Sequence, residues 1–197
     1  MDEYVGMEFQ DVLGRRRMVR NYTDEPVDAE ALERIVSAGV RAPSAGFSQG
    51  QSFVVVTEPD RRAAIADLAG EPAYMEQGFE PWLGRAPALI VLCVSESAYR
   101  ERYAEADKAG SHDGTWPVPW WWVDAGASMQ NLLLAAVDEG LAAGFLGAHA
   151  IEGLADQLGI PDDVNPVGVI TIGHPAPDRR SGSLDRGRRE VVHWEQW

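Results

Sequence analysis

Residues 15–20 read "RRRMVR", four arginines in six positions of a chain whose formal net charge is −14. Arginine's planar fork offers two parallel N–H donors to a phosphate, and several converging forks neutralise a dianion. A second cluster lies in "DRRSGSLDRGRRE", with Arg179, Arg180, Arg186, Arg188 and Arg189. Lysine and arginine together number 17, and Lys108 is the one lysine, so nine of sixteen arginines fall in two short stretches. Two readings follow. The clusters are either halves of a site for an anion such as a phosphate monoester, or solvated patches that balance nearby acids. Arg16 and Arg20 are four apart, one helical turn if helix runs through them.

The stretch "RAPSAGFSQGQSF" (41–53) is the second place where chemistry could occur. Small residues with exposed amides let a flat ligand approach the backbone, although an ordinary helix–strand connection reads the same way. Trp116, Trp120, Trp121 and Trp122 in "TWPVPWWW" are either core and interface anchors or the walls of an aromatic slot. Other chemistries find no pattern. His112, His149, His174 and His193 are scattered without metal-ligand spacing. Ser44 and Ser48 lie in no nucleophile elbow. Asp162 and Asp163 read as solvated caps in a turn. Cys93, in "ALIVLCV", reads as a buried inert thiol and cannot form an internal disulfide, which fits a reducing cytoplasm. No G-x-G-x-x-G follows a strand and no phosphate-binding P-loop is present.

The elements that must position these residues follow from periodicity. A short helix is predicted over 7–17, with Phe9, Val12 and Leu13 on one face. A second helix runs through "VDAEALERIVSAGV" with Asp28 as cap, and stops at "RAPSAG". "SFVVVT" (52–57) and "PALIVLCV" (87–94) read as buried strands, with a helix from Pro59 between them. A polar helix covers 96–107 and a loop 109–119. Residues 120–140 form the longest helix, apolar on most of its circumference, and such a helix wants burial on both sides. "GFLGAH" is a short strand or turn, "IEGLADQLGI" a helix, "NPVGVITIGHP" a strand, and "EVVHW" an isolated strand-like tail.

At 197 residues, with 45% apolar and 9% aromatic content, the chain suits one α+β domain over 1–197 with a central sheet. A charge of −14 opposes nucleic acid and anionic lipid. No apolar run approaches the ~20 residues of a membrane span. "MDEYVGMEFQ" has no secretory character, so a cytoplasmic location is expected.

Taken in order, these pieces resemble the FMN-dependent nitroreductase family. "RRMVRNYTDEPV" resembles its N-terminal "RRSxRxF…PV" signature, and "APSAGFSQGQSFVVV" is similar to its "APSxxNxQPWxFVVV". "DAGASMQNLLLAAVDEGLAAGFLG" resembles its long helix and the turn after it, and "VGVITIGHP…RGRREVVHWEQW" its last strand and basic tail. The match spans nearly the whole chain in order.

The resemblance implies a mixed central β-sheet flanked by helices, a homodimer, and FMN as cofactor. In its terms Arg16, Arg17, Met18 and Arg20 hold the FMN phosphate and adjoining flavin edge, with Arg186 and Arg188 closing from the tail. Pro43, Ser44, Ala45 and Phe47 contact flavin from the second subunit. Gln130 and the turn at Gly144–Ala148, including Leu146 and Gly147, complete the site. Met18, Phe47 and Gly50 stand where the family usually has serine, asparagine and proline. The implied activity is reduction of nitroaromatic or quinone-like acceptors with NAD(P)H, with no metal and no catalytic side chain. The alternatives are flavin sequestration without turnover, or a relative acting on flavin, a deazaflavin, or a C=C or halogenated compound.

Overall fold

The computed structural model describes residues 6–108, 110, 114–177 and 190–197. Its helices are α1 (Phe9–Arg15), α2 (Ala29–Val40), α3 (Pro59–Leu68), α4 (Glu71–Glu76), α5 (Glu96–Ala104), α6 (Trp120–Asp138) and α7 (Leu154–Leu158). The strands are β1 (Gln51–Val56), β2 (Ala88–Ser95), β3 (Ala142–Gly147) and β4 (Val164–Gly173), in the sheet order β1-β2-β4-β3.

β2 is central because its apolar run tolerates burial on both faces. Alternate residues diverge. Ala88, Ile90, Leu92 and Val94 pack into the core beneath α2 and α6. Leu89, Val91 and Cys93 join the opposite cluster, which Ile65 of α3 and Leu154 of α7 cover. Ile90, Leu92 and Ile170 have no exposed surface; burial of such a side chain is worth about 1.5–3 kcal/mol. The thiol of Cys93 is buried in this layer, and burial pushes it up to about 11.

Several expectations are corrected. The sheet expected to be mixed is antiparallel in all three strand pairs, and its parallel element is one isolated bridge between Met18 and Ala143. β1, read as buried, is an edge strand: only Val56 is fully buried, and Ser52 and Val55 face solvent. The "EVVHW" tail forms no strand among its described residues, since no strand edge of this chain pairs with it. The polar helix ends at Ala104, and α4 went unread because "EPAYME" carries no apolar period. Asp28 occupies the N-cap position of α2 without a side-chain capping bond.

Candidate functional site

The arginine segment begins where α1 ends. Arg16 closes the helix through its N–H to the Val12 carbonyl, then turns extended. Helix therefore does not run through 16–20, and the four-residue spacing of Arg16 and Arg20 is not a helical turn. The segment lies instead along the outer edge of β3, where Val19 N–H donates to the Ala143 carbonyl at 2.9 Å. Val19 is buried and anchors the stretch, while Arg17, Met18 and Arg20 on either side are exposed and Arg16 is half-buried. Arg20 rests its guanidinium 5.3 Å above the Trp82 ring.

A buried relay fixes this edge. Gly144 N–H donates to Thr171 Oγ1 at 3.0 Å, Thr171 and Tyr22 hydroxyls are 2.6 Å apart, and Tyr22 Oη–H donates to the Val19 carbonyl at 2.7 Å. Each hydroxyl has one proton, so the middle bond runs from Thr171 to Tyr22. Burial pushes the Tyr22 phenol well above its usual value, and it stays neutral. A Cβ on Gly144 would collide with the Val19 carbonyl and lie 2.8 Å from Thr171 Oγ1, so this crossing requires glycine. Leu146 and Gly147 belong to β3, not to a turn, and pair with Val169 and Gly168 before a one-turn 3-10 helix at Ala148–Ala150.

Loop 43–49 is the second group. Ala45 N–H donates to Asp124 Oδ2 at 2.8 Å, and Tyr99 Oη–H donates to the same oxygen at 2.7 Å. Burial, with this hydrogen bond second, pushes the Tyr99 phenol up. Arg102 Nε donates to the Gly46 carbonyl at 2.9 Å, and Gln49 N–H to Ser44 Oγ at 2.9 Å. Within this clamp Gly46, Phe47 and Gln49 all have positive φ, of 63°, 59° and 52°. Phe47 is 72% exposed, Pro43 is exposed, and Ser44 and Ala45 are half-buried.

The tryptophans divide between the two readings. Trp121 is buried and Trp116 half-buried, and they meet edge to face at 5.6 Å beside Tyr99. Trp120 and Trp122 are exposed, as are Val123 and Gln130 farther along α6. One side of α6 is thus uncovered within the chain, together with Phe9 and Leu13 of α1.

The two groups lie apart. Loop 43–49 leads into β1, and the arginine segment flanks β3, at the opposite edge of the sheet. Three strand spacings separate those edges by about 14 Å. Gln51 aligns with Val94, whereas Met18 beside Ala143 aligns through Ile172 with Ala88. That adds about 20 Å along the strands. One chain does not bring them together. Arg186 and Arg188 lie outside the described residues, as does His112.

Sequence reasoning missed Tyr22, Glu71, Trp82, Asp124 and Thr171. Asp124 carried a weak signal, as a carboxylate inside an otherwise apolar helical face. Among the described residues no group of histidine, cysteine and acidic side chains could hold a metal, and no helix is long and apolar enough to cross a membrane.

Residues 13–174 match the Nitroreductase family. The chain is 31% identical over 188 residues to the FMN reductase [NAD(P)H] of Bacillus subtilis, covering 91% of this chain and 70% of that protein. It is 26% identical to the FMN reductase (NADPH) of the same organism, over 91% of this chain and 70% of that one. Among solved structures, the hypothetical oxidoreductase YcnD of Bacillus subtilis superposes with a TM-score of 0.74 at 30% identity, covering 97% of this chain and 75% of that chain.

Proposed function

This chain belongs to the nitroreductase family, and we propose that two copies of it enclose FMN and reduce nitroaromatic or quinone-like acceptors with NAD(P)H. It is an FMN-dependent oxidoreductase of that family. The observation that carries the reading is the state of the arginines. Arg34, Arg85, Arg100 and Arg102 are all paired with carboxylates, and Arg41 and Arg61, which have no carboxylate partner among the described residues, stand singly. Arg16, Arg17 and Arg20 make no ion pair and no side-chain hydrogen bond with a described residue, although the chain is strongly acidic. Three unneutralised forks on one edge are a donor set that fits a phosphate dianion beside a flavin edge.

FMN, when bound, supplies hydride acceptance and delivery. The chain's residues do the rest. Arg16 and Arg17 bind the phosphate, and Arg20 holds positive charge against the negative edge of the ring system. Tyr22 and Thr171, through their relay, keep β3 and the arginine segment in fixed register. Pro43, Ser44, Ala45 and Phe47 come from the second copy, because they stand at the far edge of their own sheet. The uncovered apolar side of α6, with Phe9 and Leu13, supplies surface for that contact. No side chain is assigned as a proton donor; water supplies protons.

Anaerobic mixing of FMN-loaded protein with NADH and with NADPH tests the activity. Bleaching of the flavin, then recovery on adding a quinone or nitroarene, is expected. Tight FMN binding without bleaching by either nucleotide favours sequestration without turnover. Sedimentation at micromolar concentration tests assembly, and a monomer that still holds FMN contradicts the shared site.

A further inference from the structure

We propose that Trp82, locked in place by the buried carboxylate of Glu71, is the positioning residue for Arg20. The inference rests on the FMN reading above and identifies how this chain presents a cation to that ligand.

Glu71 opens α4 and is only 6% exposed, unusual for a carboxylate that has no cationic partner among the described residues. Its two oxygens are spent on one loop. Oε1 accepts from Trp82 N–H and Leu83 N–H at 2.7 Å each, and Oε2 accepts from Gly84 N–H at 2.9 Å. Arg62 holds the same loop from its carbonyl side, donating to the Gly84 carbonyl at 3.1 Å and to the Ala86 carbonyl at 2.6 Å. Leu83 is buried beneath it. A Cβ on Gly84 would sit 2.9 Å from Glu71 Oε2, so the carboxylate needs glycine there to reach the amides. The backbone that carries Trp82 is therefore held by five hydrogen bonds and a buried side chain.

The ring so placed has two neighbours. One edge lies against β3, where a Cβ on Gly144 would be 3.0 Å from Trp82 Cζ3. Its face supports the Arg20 guanidinium at 5.3 Å. The choice of an aromatic face over a carboxylate has a consequence for charge. An acidic partner would orient an arginine and cancel its field. An aromatic face orients it through the ring quadrupole and leaves the net positive charge available to an incoming anion. Arg85, three residues from Trp82, shows the contrast: it lies 3.6 Å from Glu80 and donates to Asn21 Oδ1 at 3.3 Å. Among the described residues no carboxylate pairs with Arg20, so its orientation is supplied by Trp82 and its charge is kept for the ligand.

A double-mutant cycle tests this, with FMN binding followed by quenching of the flavin's own fluorescence in the full-length protein. Trp82→Leu should weaken FMN about two- to fivefold in the Arg20 chain. It should weaken binding no further in an Arg20→Leu chain, and Trp82→Phe should recover most of the affinity. Equal losses in both backgrounds would mean that Trp82 only packs the loop, and overturn the proposal. So would an unchanged affinity in Trp82→Leu. If Trp82→Leu does not fold, the cycle runs with Trp82→Phe, whose smaller loss must likewise vanish without Arg20. Wild-type protein that binds no FMN overturns the reading of the site and this inference with it; wild-type binding with no coupling overturns the inference alone.

Discussion

Replacing Phe47 by asparagine should stabilise the protein and impair its use of aromatic acceptors. Phe47 sits at φ 59°, directly after left-handed Gly46 and two residues before left-handed Gln49. That region costs a residue with a Cβ about 1–2 kcal/mol, and asparagine enters it more readily than phenylalanine does. The loop cannot relax on its own: Asp124, Arg102 and the Ser44 hydroxyl each hold part of it. With 72% of its surface in solvent, the ring recovers little of the ~1.5–3 kcal/mol that full burial gives. The strain therefore outweighs the packing, and Phe47→Asn should gain about 0.5–1 kcal/mol. For a chain of 197 residues that is an increase of about 1–4 °C in Tm.

Phe47→Ala is the control, because alanine keeps the left-handed conflict and loses the residual packing. The assay is guanidinium unfolding and thermal melting of both variants beside the wild type, followed by KM for a small quinone. Loss of this exposed ring beside the proposed flavin site should raise KM for a flat acceptor about two- to tenfold. Asparagine and alanine lowering stability alike would refute the reasoning. It would mean that the ring is covered in the assembled protein and that packing, not strain, sets the energy of this position.

Arg16→Ala should weaken FMN about 10- to 100-fold by titration, the scale of a lost charged hydrogen bond. Asp124→Ala leaves the Ala45 amide and the Tyr99 hydroxyl without their acceptor and should cost about 2–4 kcal/mol in guanidinium unfolding. Burial raises the Cys93 thiol from 9.0 to about 11, so its stabilising contribution is whole below pH 9 and is lost as pH rises through 11. Tm should accordingly fall more steeply across that window in the wild type than in Cys93→Ala, by the equivalent of on the order of 2–3 kcal/mol. Mixing Arg16→Ala subunits with Phe47→Ala subunits should restore one undamaged site per mixed dimer, seen as recovered FMN affinity and quinone turnover; no recovery would argue that each site belongs to one chain.

The elements that could be read from sequence are those whose burial is set by their own pattern. "PALIVLCV" is apolar at every position, and only the centre of a sheet accepts that, so β2 was legible. "SFVVVT" carries almost the same pattern, yet β1 lies at an edge, because strand order depends on which neighbour arrives and not on the strand alone. "EVVHW" has strand propensity but pairs with no strand among the described residues, and propensity without pairing makes no strand. The parallel component of the sheet shrank to one bridge at Met18 for a related reason: Val19 buries itself against β3, but Arg20 and Arg17 on either side cannot follow it inward.

The arginine segment announced itself by composition, whereas the groups that make it a site did not. Tyr22 and Thr171 are 149 residues apart, and nothing local marks either hydroxyl as half of a buried relay. Glu71 reads as an ordinary surface acid at a helix start; only the fold reveals that its oxygens collect three amides of a loop eleven to thirteen residues away. Trp82 in "EPWLGRAP" looks like a core tryptophan and partly is one, since Gly144 leaves room for its edge. What sequence conceals is the division of labour. Acidic residues are abundant enough to neutralise every arginine in this chain, and the fold assigns them to Arg34, Arg85, Arg100 and Arg102 instead of to the 16–20 segment. Keeping a cation oriented but unneutralised requires a support without charge, and an aromatic face is one of the few side chains that provides it. The binding capacity of that edge thus arises as much from where the carboxylates are absent as from where the arginines are present.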